Sequence, residues 1–129
     1  MPSSSTYPNG AQITGIGAAA LSRGQLLVRT TANQWAVSGL TDEPEAVALQ
    51  DIALGEYGAI ELLSPGGTFL GLCDANGVAD GDTVYGAADG ELSTTQGVGA
   101  FRVGEAWETK TADGDLFELQ YKPGYTAGT

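Results

Sequence analysis

From Ile13 onward the chain alternates between short apolar runs and glycine-rich breaks. Candidate strands are Gln25 to Thr30, Gln34 to Ser38, Val47 to Leu49, Tyr57 to Leu63 and Thr68 to Cys73. Four more follow at Thr83 to Tyr85, Glu91 to Thr94, Phe101 to Trp107 and Leu116 to Tyr121. Several alternate with period two, as half-buried strands do. In the last of them Phe117, Leu119 and Tyr121 share one face, and Glu118 and Gln120 the other. Turn signals stand between the runs. Ser64-Pro65-Gly66-Gly67 suits a type II turn, and Asn76-Gly77, Asp89-Gly90 and Asp113-Gly114 are strong turn dipeptides. Asp42 to Ile52 is the best helical stretch, and Pro44 leaves it at most one turn. The pattern predicts an all-β chain, a small Gly-rich β-barrel or β-sandwich-like domain.

The turns also recur. Ser22-Arg23-Gly24-Gln25 before one strand parallels Ala79-Asp80-Gly81-Asp82 before another, and Leu54-Gly55-Glu56 parallels Asp113-Gly114-Asp115. The offset is 57 residues in the first case and 59 in the second. A nearly constant offset points to two pseudo-symmetric halves, and the expectation drawn from it is packing about an approximate two-fold axis. The division expected along the chain is a flexible N-terminal arm over 1–12, a single β domain over 13–122 and a flexible tail over 123–129.

Composition narrows the function classes. The 129 residues suit one domain, and 20 glycines are about twice the ordinary share. With 16 acidic residues against 5 basic ones, the net charge is −11. That repels nucleic acid and anionic membrane surfaces, so neither is an expected partner. The single cysteine, Cys73, lies in the apolar run FLGLC and reads as a small buried hydrophobe. The first residues lack the basic and apolar regions of a signal peptide, and no apolar run reaches membrane-spanning length.

Candidate chemistry is sparse. There is no histidine to activate a serine or Cys73, and no histidine or cysteine cluster for zinc. EF-hand frames opening at Asp74 and Asp80 both fail at their fifth position, where Val78 and Val84 stand. Gly15-Ile16-Gly17-Ala18-Ala19-Ala20 imitates a dinucleotide fingerprint without the strand, helix or acidic residue it needs. The reading is therefore no enzyme, no cofactor and no metal. Trp35, Trp107 and Tyr57 are the aromatic residues a carbohydrate-binding module would use. As partner contacts, Tyr7, Pro8 and Tyr125 near the two ends are the candidates, since aromatic groups make good anchors.

Four stretches together resemble the capsid cement or head decoration proteins of tailed phages, a family long catalogued as a domain of unknown function. They are AAALSRGQLLV (18–28), EAVALQDIALGEYGAIEL (45–62), ADGDTVYGAADGEL (79–92) and the run from Arg102 to Leu119 ending in DGDLFEL. The resemblance implies a virion protein on the outer capsid surface, made in the host cytoplasm. It also implies contacts to the major capsid protein and association as a homotrimer. The alternatives are another virion part, such as a tail-tube or head-completion protein, and a carbohydrate-binding β module.

Overall fold

The computed structural model describes residues 11–124 and contains, among them, ten strands and one 3-10 turn at Ala88–Gly90. The first half holds β1 (Gln12–Gly17), β2 (Leu26–Thr31), β3 (Gln34–Val37), β4 (Ala46–Ala48) and β5 (Tyr57–Leu62). They close a barrel in the order β1-β3-β2-β4-β5. The second half holds β6 (Thr68–Leu72), β7 (Thr83–Gly86), β8 (Leu92–Ser93), β9 (Arg102–Ala106) and β10 (Leu116–Gly124). They form a sheet in the order β6-β10-β9-β7-β8. The chain is thus all-β, with a barrel as its first half. Strand β1 opens at Gln12 and β10 includes Pro123 and Gly124, residues the sequence pattern assigns to the arm and the tail.

Strand β1 has no counterpart among the sequence-predicted strands, and its physical reason is plain. Its buried positions are Gly15 and Gly17, which carry no side chain to mark the period. Gly15 pairs directly with Gly58 of β5. The space above this glycine pair is taken by Trp35 and Ile60, both of which a Cβ on Gly15 would strike. The stretch from Asp42 to Ile52, which Pro44 limits to at most one helical turn, holds none. Asp42 instead closes a tight turn, its N–H donating to the Gly39 carbonyl at 3.2 Å, and β4 follows.

The two halves are the same unit. Matching β6 to β1, β7 to β2, β8 to β3, β9 to β4 and β10 to β5 gives one cyclic strand order, opened in the second half between β6 and β8. Even that joint is closed by a parallel bridge between Cys73 and Leu92, where the first unit pairs Gly17 with Trp35. Leu21 and Ile52 exchange backbone hydrogen bonds at 2.8 and 2.9 Å, and Val78 and Lys110 do the same at the same lengths. Side-chain bonds repeat as well. Ser22 N–H donates to Gln25 Oε1 at 2.7 Å, and Ala79 N–H to Asp82 Oδ2 at 2.9 Å. Ala59 N–H donates to Gln50 Oε1, and Glu118 N–H to Glu108 Oε1. The left-handed residues fall in register: Gly24 with Gly81, Gly55 with Gly114, and the non-glycines Ala32 and Asp89.

The packing of the two units departs from the expected two-fold axis. Gly24 of the first unit sits against Leu72 and Leu116 of the second, whereas its counterpart Gly81 has nothing within 4 Å of a Cβ. A two-fold axis would give both glycines the same neighbours, so the contact is heterologous. Strand alternation explains how the units join. Leu27, Ala46 and Ala48 point into the first barrel, while Leu26 and Val47 point outward and join the core of the second unit. The 3-10 turn locks the junction, with Gly90 N–H donating to the Ser38 carbonyl at 2.9 Å and Gln25 Nε2 to the Asp89 carbonyl.

Candidate functional site

Several of the aspartates shape turns. Asp42 Oδ2 accepts the Gly39 N–H at 2.8 Å, Asp74 Oδ1 the Asn76 N–H at 3.0 Å, and Asp82 Oδ2 the Ala79 N–H at 2.9 Å. These are the local bonds through which aspartate stabilises turns. Among the described residues no group of three or more His, Cys, Asp or Glu side chains is placed to hold a metal ion.

Cys73 is buried as its apolar setting predicts, with Sγ 3.0 Å from the Ala112 carbonyl. Burial, aided by the charges of Asp115, Asp74 and Asp113, pushes its thiol pKa up. That disfavours the thiolate, the reactive form. Glu91 experiences similar surroundings. Burial first, and then Asp113, Asp74 and Asp89, hold its carboxyl above the usual 4.5. A carboxyl raised in the folded state adds stability below its ordinary pKa, and that stability is lost as pH rises through the folded value. Glu91→Gln is therefore expected to raise the melting temperature at pH 7. The gain should shrink to nothing below pH 4.5, which a pH series of thermal melts measures.

Aromatic residues divide between core and surface. Trp35 is only 4% exposed, with its indole N–H donated to Asn33 Oδ1 at 3.0 Å. It forms part of the wall of an open cleft of about 520 Å³ at one end of the barrel, lined also by Ile13, Arg29, Asn33, Glu45 and Leu62. A face this buried offers a sugar ring little to stack on. Tyr57 and Trp107 are 68% and 46% exposed but belong to different units. A second cleft of about 280 Å³ runs between the units, beside Arg23, Glu61, Leu70 and Glu118.

The basic residues do not gather into one patch. Arg102 donates to the Lys122 and Pro123 carbonyls, and Lys122 Nζ pairs with Glu105 at 2.7 Å, which ties both to the end of β10. Among the described residues the most exposed large apolar side chains are Val98, Leu54 and Tyr57. Sequence patterning does not distinguish Val98 or Leu54 as surface residues, since each sits in a Gly-flanked turn. The candidate contacts Tyr7, Pro8 and Tyr125 lie outside the described residues.

No protein-family model matches the chain, and no curated protein sequence does. Among solved structures, the chain is similar to the N base of head fiber gp8.5 of bacteriophage phi29. The two share 16% identity, and the match covers 90% of this chain and 98% of the other with a TM-score of 0.70. What they have in common is the fold.

Proposed function

We propose that the chain is a structural protein of a tailed-phage virion, seated on the outer surface of the capsid and cementing it by bridging major capsid protein subunits. The observation that carries this reading is the fold shared, over nearly the whole of both chains, with the base of a phage head fiber. Cementing requires no reaction. It requires buried interface across joints that internal DNA pressure pulls open, multiplied over many copies. A small chain stiffened by two barrel-like units suits that load, and a net charge of −11 favours solubility at high local density. In this reading the protein is made in the host cytoplasm and acts as a homotrimer. Tyr7, Pro8 and Tyr125 serve as anchors to the shell. No cofactor, metal or catalytic residue takes part.

Co-sedimentation with capsids assembled without the chain tests the proposal. Saturable binding to expanded shells and none to unexpanded procapsids is expected. Absence of binding to both overturns it, as does formation of tail-like tubes by the isolated protein.

A further inference from the structure

The heterologous contact inside the chain leaves one unused face on each unit, and the two are complementary by construction. In the internal contact, the first unit supplies Gly24, Leu26, Val47 and the Leu40 turn. The second unit receives them with the Leu72–Leu116 cross-strand pair and the Asp89–Gly90 turn, and Leu40 rests against Gly97.

Each of these groups has a counterpart that the chain does not use. The receiving pair of the second unit corresponds to Ile16–Tyr57 in the first, also directly paired across strands. Tyr57 stands 68% exposed there. The receiving turn corresponds to Ala32–Asn33, exposed, with Ala32 left-handed like Asp89. On the supplying side, Gly24 corresponds to Gly81, which nothing covers. Leu40 corresponds to Val98, and both turns close with the same bond, Asp42 N–H to Gly39 and Ala100 N–H to Gly97. Val98 is the most exposed large apolar side chain described, at 74%.

We infer that a second copy of the chain docks head to tail, with its Gly81–Val98 face on the Ile16–Tyr57 face of the first, repeating between molecules the contact made within each. Charge favours the match. Arg29, exposed and without an ion pair among the described residues, lines the cleft beside Ala32 and Asn33. Asp80 and Asp82 flank Gly81 on the opposing face. The intermolecular junction is weaker than the internal one, because Leu26 and Val47 are matched by Thr83 and Glu105. Fewer apolar groups leave water there. A heterologous contact repeated between copies closes a ring or runs on as a fibre. This inference stands on the duplicated fold alone and does not depend on capsid binding.

Light scattering on a sizing column, over a concentration series of the whole protein, tests it with Tyr57→Glu and Val98→Glu. Both side chains are exposed, and circular dichroism with thermal melts verifies that the variants fold. The wild type is expected to assemble as concentration rises, and each variant alone to remain monomeric. An equimolar mixture of the two variants is expected to form a dimer, since each retains the face the other has lost. A wild type monomeric up to high concentration overturns the inference. So does assembly indifferent to both substitutions, or a mixture of the variants that stays monomeric.

Discussion

Gly104→Ala is expected to destabilise the protein by about 3 kcal/mol, a fall of about 10 °C in melting temperature. Gly104 lies in the interior of the second unit, paired with Val84 on β7 and Tyr121 on β10. A Cβ there would collide with the Gln120 carbonyl oxygen and crowd the Lys122 nitrogen, both backbone. Backbone cannot swing aside as a side-chain tip can, so relief requires parting β9 from β10. Gly86→Ala provides the contrast. It sits one strand away with nothing within 4 Å of a Cβ and no left-handed φ. That substitution is expected to be neutral or stabilising by a few tenths of a kcal/mol, because it restricts the unfolded chain. Thermal melts of the two variants side by side separate a steric cost from a general intolerance of change at glycine. Equal losses from both would contradict this account of Gly104.

Phe117→Ala is expected to cost about 4 kcal/mol. Phe117 is fully buried in the core of the second unit, directly across from Gly71. In the first unit the equivalent pair is Gly58 and Gly15, and Trp35 supplies bulk over Gly15. In the second unit, Leu92 stands where Trp35 does, over Gly71, and Phe117 brings the missing volume from the other strand. Each unit thus fills the same space with one large aromatic, placed on different strands. The comparison sets a second-site expectation: Leu92→Trp should restore part of the stability lost in Phe117→Ala, whereas in the wild type it overpacks the core and destabilises it. Denaturant titration of the single and double variants measures the coupling. Additive losses would mean that the two cores are not filled by the same rule.

Much of this fold was legible because its turns are written in glycine. Gly24 and Gly81, Gly55 and Gly114 mark the duplication, and their left-handed φ values require that residue or a rare substitute. Strand β10 was legible because Phe117, Leu119 and Tyr121 alternate with polar residues. Strand β1 was not, because Gly15 and Gly17 contribute to the core by omission and the apolar mass above Gly15 comes from Trp35 and Ile60. The relation between the units was illegible for another reason. It depends on which of two equivalent glycines, Gly24 or Gly81, meets Leu116, and local patterning treats them alike. The same limit applies to surfaces. Tyr57 and Leu116 hold matching strand positions, yet the first is exposed and the second is half-buried against Gly24. Tyr7, Pro8 and Tyr125 are candidates by residue type and by their place near the two ends, and they lie outside the described residues.

Electron cryo-microscopy of expanded capsids, assembled without the chain and then saturated with it, bears most directly on the proposed role. Density of two barrel-like units is expected at regular lattice positions on the outer face, touching more than one major capsid subunit at each. Density confined to a portal or tail vertex, or seated within a single capsid subunit, would contradict it.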